Sequence, residues 1–252
     1  MKLEVHATSD VGLVRDHNED LAVVGTHLVR DDSVDAFHEV SPDGAPYLFG
    51  VADGLGGHSA GEVASRDVVE ALRGRIAELE GGLSPAGVVN TLSEVASAIH
   101  NELVARGKES PRHKGMSTTL TSILIYEGQL FLLHAGDSRC YVLRNGVLRR
   151  VTRDHTLREF SGDPSIPGNI LVNCFGVQDR FFSDVRQFGD EGEPGDVFLI
   201  CSDGLSDMVP DERIEITVRR ADTVSAAGAR LLELAREAGA SDNVTFVLAR
   251  VL

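Results

Sequence analysis

Short runs of apolar residues, each bounded by glycine or polar residues, recur along the chain and predict buried β-strands. These runs lie at 2–8, 21–25, 47–52, 119–126, 130–135, 139–143, 147–151, 197–201 and 244–251. Two connections are tight turns, Glu127-Gly128 and Asn145-Gly146, and Asn-Gly between apolar runs is a strong hairpin signal. Because consecutive strands are joined mainly by hairpins, we predict antiparallel sheets rather than a doubly wound parallel sheet.

Longer segments with apolar residues at helical spacing predict helices at 63–79, 84–103, 211–218 and 223–237. The second of them opens with Ser84 as N-cap and Pro85 at the first helical position, which are favoured residues there. The first two helices each have one apolar face, which must lie against a large flat surface. The combined pattern predicts the α+β class, a layered sandwich in which helices cover antiparallel sheets.

Two polar segments interrupt this pattern. Residues 30–46 are predicted to form a loop, and residues 153–190, rich in Gly, Pro and Asp, are predicted to be an irregular, partly mobile flap. A long irregular segment inside a compact domain usually serves function. We find no internal repeat or linker, so the 252 residues are expected to form one domain, 1–252.

Composition narrows the choice of partners and location. The formal net charge is -15, which argues against nucleic acid or an anionic membrane as a partner, because both need a basic face. The N-terminal MKLEVH is not a signal peptide, and no apolar run approaches the roughly 18 residues needed to span a bilayer. Three cysteines without a C-x-x-C spacing predict buried thiols in a reducing compartment. We therefore expect a soluble, cytoplasmic monomer.

Four aspartates lie where apolar strands meet small-residue turns: Asp53, Asp137, Asp203 and Asp242. One Asp-Gly turn alone is usually structural, since both are turn residues. Four such carboxylates at strand ends are costly unless they are paired or hold a cation, so we expect the fold to gather them. Oxygen ligands without clustered His or Cys suit magnesium, manganese or calcium.

The segment at 12–20 places Arg15 close to Glu19 and Asp20. An arginine there can be the ion-pair partner of the carboxylates or can clamp two phosphate oxygens, and the segment alone leaves both interpretations open. Gly54, directly after Asp53, allows a tight bend that lets its carbonyl also face a metal.

Three histidines, His58, His134 and His155, are expected to be structural or capping residues rather than catalytic ones. Cys201 is not the nucleophile of a cysteine phosphatase, because the arginine of a C-x5-R loop is replaced by Asp207.

With these motifs in hand, the whole chain resembles the metal-dependent serine/threonine protein phosphatases of the PPM, or type 2C, family in its bacterial form. The matching segments are GLVRDHNED at 12–20, VADGLGGH at 51–58, GEVAS at 61–65, GMSTT at 115–119, AGDSRCY at 135–141, TRDH at 152–155, NILVNCFG at 169–176, LICSDGLSD at 199–207 and ASDNVT at 240–245. The resemblance implies two central antiparallel sheets flanked by helices, an α-β-β-α sandwich. It also implies hydrolysis of phosphoserine and phosphothreonine in proteins, with protein kinases and their substrates as partners.

The resemblance further implies a role for each site residue. Asp53 would bridge two Mn2+ or Mg2+ ions, which activate a water for in-line attack without a phospho-enzyme. The other implied assignments are Asp203 and Asp242 at the first ion, Glu19, the Gly54 carbonyl and nearby Asp20 at the second, Asp137 and Asp207 at a third, Arg15 on the substrate phosphate, and Asn243 orienting the cluster.

One position departs from part of the family. Some members have a histidine directly after the Asp-Gly pair, thought to protonate the leaving group, and here that residue is Leu55. A water at the third ion would then have to supply the proton.

Two rival hypotheses remain: an inactive phosphatase-fold binding module, and a calcium-binding structural protein. The first predicts missing ligands, and the second leaves Arg15 and the turn after Asp53 unexplained.

Overall fold

Two six-stranded antiparallel sheets form the centre of the protein, described by a computed structural model for residues 1–41, 44–56, 59–177, 180–189 and 192–252, the side chain of Ser59 excepted. The strands are β1 Lys2–Asp10, β2 Leu21–Val24, β3 His27–Val29, β4 Asp32–Glu39, β5 Tyr47–Ala52, β6 Gly54–Leu55, β7 Ser117–Thr118, β8 Leu120–Tyr126, β9 Gln129–Ala135, β10 Arg139–Arg144, β11 Val147–Arg150, β12 Asp184–Gln187, β13 Val197–Cys201 and β14 Val244–Val251. The helices are α1 Ser59–Ala77, α2 Pro85–Glu109, α3 Leu157–Ser161, α4 Asp203–Ser206, α5 Asp211–Arg220 and α6 Val224–Glu237, with a short 3-10 turn at Pro111–His113.

The first sheet has the order β11-β10-β13-β14-β1-β4 and the second the order β12-β9-β8-β5-β2-β3. β6 and β7 form a separate two-stranded ribbon. All pairings are antiparallel, including Leu21 opposite Ala52 and Cys201 opposite Phe246. These two pairings put the start of β2 beside the end of β5, and the start of β14 beside the end of β13.

Three apolar layers hold the sandwich together. One fills the space between the two sheets, with Phe49, Ile123, Phe198 and Val247 among its members. A second joins α1 and α2 to the outer face of the second sheet, and a third joins α5 and α6 to the outer face of the first. The predicted α-β-β-α sandwich is confirmed, because each amphipathic helix buries its apolar face on one sheet.

The predicted helices and hairpins are present, with Ser84 accepting a hydrogen bond from the Gly87 N–H at 3.2 Å as the N-cap of α2. The prediction of a loop at 30–46 was wrong, because it contains β4. That strand alternates half-buried Val34, Ala36 and His38 with exposed residues. It pairs with β1 alone, at the edge of its sheet. Charged residues are typical of edge strands, and here they hid the period-2 signal.

The segment 153–190 is only partly irregular. It contains α3 and the edge strand β12, while residues 178, 179 and 190 lie outside the described part of the chain. β12 is short and exposed, so its four residues carried too little apolar signal to be predicted.

Candidate metal centre

Five aspartates converge at one end of the sandwich. Asp20 precedes β2 and Asp53 follows β5 in the second sheet, whereas Asp203 follows β13 and Asp242 precedes β14 in the first. Asp137 lies in the connection from β9 to β10, which passes from one sheet to the other. Antiparallel pairing brings Asp20 and Asp53 together in one sheet and Asp203 and Asp242 together in the other. Packing of the two sheets then gathers the four strand-end aspartates together with Asp20.

The pKa values of these carboxyl groups show how closely they are confined. Burial and then the charges of Asp20, Asp203, Asp137 and Asp242 raise the pKa of Asp53 well above its ordinary value. Burying carboxylates side by side disfavours the ionised form of each one. The centre therefore holds negative charge that the protein itself does not fully neutralise.

The pKa values of three neighbouring aspartates are raised for the same reasons. Burial and nearby carboxylates raise the pKa of Asp20 to about 7, although hydrogen bonds from Ser202 and Thr245 oppose the shift. Similar causes raise the pKa of Asp137 to about 7 and that of Asp203 to about 6. A divalent cation among these oxygen atoms would reverse the shifts, and oxygen donors suit Mg2+ and Mn2+. The residues present thus fit the ions that the sequence predicted.

Glu19 approaches this cluster from the loop before β2. Its side chain is 12% exposed and accepts from His17 Nε2 at 3.0 Å. Two glycines make room for it: a Cβ at Gly61 would collide with the Glu19 carboxylate, and one at Gly54 with the carbonyl oxygens of Glu19 and Gly61. The glycines of both motifs therefore serve close approach of the main chain to the acidic segment.

Asn243 and Ser202 tie the two sheets together around the acids. The Asn243 side-chain oxygen accepts from the Glu19 N–H at 2.9 Å, and its amide donates to the carbonyl oxygens of Val11 and His17 at 3.0 Å. Ser202 donates to Asp20 Oδ2 at 2.8 Å. Asn243 was predicted to orient the cluster, whereas Ser202 received no role from sequence because a serine before an Asp-Gly pair has no distinctive spacing.

Two threonines of the GMSTT motif hold the main chain of Asp53 by hydrogen bonds. The Asp53 N–H donates to Thr119 Oγ1 at 3.0 Å, and the Asp53 carbonyl accepts from Thr118 Oγ1 at 2.8 Å. Thr119 also contacts Ser138 through a hydroxyl pair at 2.7 Å. These residues, which sequence reasoning left without a role, link the Asp53 turn to the turn that carries Asp137.

Asp137 and Asp207 line a cavity of about 340 Å³ that also includes Asp203 and the arginines Arg139, Arg150 and Arg158. Asp207 is exposed and its N–H donates to the Asp203 carbonyl at 2.7 Å. The charge of Asp207 contributes to the raised pKa of Asp137. The two acids proposed for a third ion therefore lie close together beside the main cluster.

Arg15 pairs with Asp242, its Nη2 donating to Oδ2 at 2.7 Å, while its side chain stays 55% exposed. The ion-pair interpretation is thus observed. An Arg uses only part of its five-donor fork in one such contact, so the exposed guanidinium can also bind a phosphate.

Leu55 lies in β6, half-buried and paired through its main chain to β7. Its apolar side chain has no proton to donate. His58 falls outside the described residues.

His134, His155 and Asp184 form a second cluster, with potential ligand atoms within 4.8 Å of one another. His155 Nδ1 accepts from Gly136 N–H at 3.2 Å, and its Nε2 contacts Asp184 at 3.2 Å. His134 contacts Thr121 and the Arg153 carbonyl at 2.8 and 3.0 Å. Each ring nitrogen is already hydrogen bonded, which agrees with the structural role predicted for both histidines.

The three cysteines are free and buried, and burial raises the pKa of Cys174 and Cys201 to about 12. Such thiols are poor nucleophiles at neutral pH, as predicted. Among the described helices, none has the length and apolar character that crossing a membrane requires.

The family model described as "Protein phosphatase 2C" matches residues 25–249. The chain is 36% identical over 260 residues to the serine/threonine protein phosphatase PstP of Mycobacterium tuberculosis, covering 99% of this chain and 45% of that protein. It is 31% identical to the serine/threonine phosphatase Stp of Listeria monocytogenes, covering 95% of this chain and 92% of that protein. The chain thus spans under half the length of PstP and nearly all of Stp.

Solved structures agree with these relatives. The crystal structure of the M. tuberculosis phosphatase PstP/Ppp is similar with a TM-score of 0.79 and 34% identity, covering 100% of this chain and 99% of that one. The catalytic domain of PstP in complex with two manganese ions is similar with a TM-score of 0.76 and 35% identity, covering 99% of each chain. The family model over residues 25–249 and the relatives at 36% and 31% identity over nearly the whole chain show that it belongs to the protein phosphatase 2C family.

Proposed function

We propose that the protein hydrolyses phosphoserine and phosphothreonine in proteins with Mn2+ or Mg2+, two ions in the core site and a third beside Asp137 and Asp207. The observation that carries this proposal is the convergence of five mutually repelling aspartates from both sheets. The PstP catalytic domain, which binds two manganese ions, supports the same kind of centre here.

The ions would supply positive charge to the phosphoryl group and an activated water for in-line attack. Asp53 would be a ligand shared by both core ions; Asp203 and Asp242 would hold the first ion, and Glu19, Asp20 and the Gly54 carbonyl would hold the second. The exposed Arg15 would hold the substrate phosphate while remaining attached to Asp242.

Departure of the alcohol product requires a proton, and Leu55 cannot provide it. A water at the third ion would supply it, in the cavity that Asp137, Asp207 and Asp203 line. Phosphorylated proteins, including Ser/Thr kinases and their substrates, are the proposed partners. We propose a monomer that acts in the cytoplasm, with the whole chain as one catalytic domain.

The test is turnover of a generic aryl phosphate and of a phosphothreonine peptide. We expect activity that EDTA abolishes and Mn2+ restores, whereas Ca2+ does not. Asp203→Asn should lose this activity. Asp222→Asn should keep it, because Asp222 is an exposed residue between α5 and α6 whose carbonyl accepts from Arg250, far along β14 from Asp242.

Calorimetry with Mn2+ separates the enzyme from an inactive binding module. An inactive module would not bind two ions tightly, and every ligand position that the resemblance implies carries its expected residue. Tight Mn2+ binding without turnover of any phosphopeptide would contradict the proposed activity.

A further inference from the structure

Arg30 lies between β3 and β4 and its side chain is only 11% exposed. Its Nε donates to the Asp20 carbonyl at 2.7 Å, its Nη1 to Glu62 Oε1 at 2.9 Å, and its Nη2 to Ser65 Oγ at 2.8 Å. Longer contacts reach the carbonyl oxygens of Glu19 at 3.4 Å and Glu62 at 3.3 Å. The guanidinium therefore spans α1 and the main chain of the acidic segment.

Ser65 reinforces this connection, since its hydroxyl contacts the Glu19 carbonyl at 2.6 Å. Arg30 and Ser65 thus bind the main-chain oxygens of both residues that contribute acids before β2. They act from the α1 side, whereas Asn243 binds the Glu19 N–H from the β14 side. The main chain of Glu19 and Asp20 is therefore held by hydrogen bonds from two different parts of the fold.

These hydrogen bonds oppose the electrostatic repulsion between the carboxylates. Asp20 is 2% exposed and lies near other carboxylates that repel it. Without an external tether, repulsion and the entropy of a loop would displace the segment from the centre. A buried guanidinium is stable only when its donors are bonded, so Arg30 and its acceptors hold one arrangement.

We propose that Arg30, supported by Glu62 and Ser65, is a positioning residue for the metal centre. It holds Glu19 and Asp20 in place for the divalent cation and so sets the affinity of the site. Its hydrogen bonds go to Glu62, Ser65 and main-chain oxygens, so it acts on the cluster through the main chain. The inference rests on the proposed function, because it assumes that the acidic cluster binds metal.

The experiment is calorimetric titration of the EDTA-stripped, full-length protein with MnCl2. We expect Arg30→Met to weaken the tightest Mn2+ binding by about tenfold or more, the range seen when groups that orient metal ligands are removed. Arg30→Lys should recover part of the loss, because an ammonium group can still reach one or two acceptors. Ser65→Ala should weaken binding in the same direction by a smaller factor.

Arg144→Lys is the matched control. Arg144 also pairs with a buried acid, donating to Asp196 at 2.7 and 2.9 Å, but at the other end of β13. This variant should bind Mn2+ within twofold of wild type even where its thermal midpoint falls. At saturating Mn2+, the Arg30 variants should regain kcat with little change in KM for a phosphopeptide.

The outcomes are distinguishable. If the wild-type protein binds no Mn2+, the proposed function fails first. If wild type binds Mn2+ and both Arg30 variants bind within twofold of it, the positioning role is overturned. Should Arg30→Met fail to fold, Arg30→Lys and Ser65→Ala decide the question by the same titration, and unchanged binding in both overturns the role.

Discussion

Two aspartates at opposite ends of β13 show how one fold treats buried acids differently. Asp196, before the strand, is 4% exposed and accepts from Arg144. Burial alone would raise the pKa of Asp196, yet hydrogen bonds from Arg144 and the N–H groups of Gly192 and Glu193 hold it below its ordinary value. Asp203, after the strand, has a pKa raised to about 6 by burial and then by Asp242 and Asp207.

The two ends of β13 therefore have different roles. At the Asp196 end the protein supplies its own cation, so that the carboxylate is complete without a ligand. At the Asp203 end the charges of Asp242 and Asp207 outweigh that of Arg139, so negative charge stays available for an external ion. A functional site that costs stability is a common trade-off. Four measurements test whether the two ends of β13 differ in this way.

The largest effect is expected from Asp203→Asn. Removing one carboxylate from the centre should lower kcat/KM by about 10²- to 10³-fold, the cost typical of losing a preorganised electrostatic group. The measurement is Mn2+-dependent phosphopeptide turnover, with Asp196→Asn assayed beside it. Equal activity in the two variants would remove the functional distinction between the ends of β13.

Asp196→Asn should act on stability instead. Loss of the charge-assisted hydrogen bonds with Arg144 should lower the free energy of unfolding by about 2 to 3 kcal/mol, measured by urea denaturation. The Mn2+ affinity of this variant should stay at the wild-type value. A stability loss of similar size in metal-free Asp203→Asn would show that both acids are structural.

Arg15→Ala should reduce kcat/KM by about tenfold, or about 1.4 kcal/mol, because a phosphate contact is lost. Steady-state kinetics at saturating Mn2+ should place most of this change in KM. If only the Mn2+ affinity changes and kinetics at saturation match wild type, the contact with Asp242 is the whole role of Arg15.

The last measurement concerns the pH dependence of the metal-free protein. The pKa of Asp20 and Asp137 is raised to about 7, from an ordinary value of 3.8. Between these values the native state binds more protons than the unfolded chain, so stability present at low pH is lost as pH rises. We therefore expect the free energy of unfolding in EDTA to fall steadily as the pH rises through that window.

Two controls isolate this pH effect. Asp53→Asn should flatten the slope, because it removes the charge that burial and repulsion affect most. Saturating Mn2+ should also abolish the fall, since bound carboxylates stay ionised. A wild-type slope that is unchanged in Asp53→Asn would assign the pH dependence to groups elsewhere.

Much of the fold could be predicted because local patterns carry it. The hairpin turns, the Ser84 cap and the apolar stripes of α1, α2, α5 and α6 are each encoded within a few residues. β4 and β12 were missed for the opposite reason. Both are short or polar edge strands, which are formed by pairing with a neighbour and carry little apolar signal of their own.

The site divides in a similar way. The aspartates could be predicted as site residues because a carboxylate at the end of an apolar strand is unusual in any context. The roles of Arg30, Thr118 and Ser202 could not be predicted, since the role of a single arginine, threonine or serine depends on its hydrogen-bond partner. Those partners are main-chain or carboxylate oxygens from distant segments.

The types of ligand, the antiparallel strands and the family can be predicted from the sequence, because each depends on residue identity and short-range spacing. The tertiary structure sets which acids share one centre and which, like Asp196, pair with an arginine of the protein itself. It also places Arg30 where it donates to the carbonyl oxygens of Glu19 and Asp20. Burial and charge pairing depend on atoms far apart in the chain, and no local pattern encodes those distances.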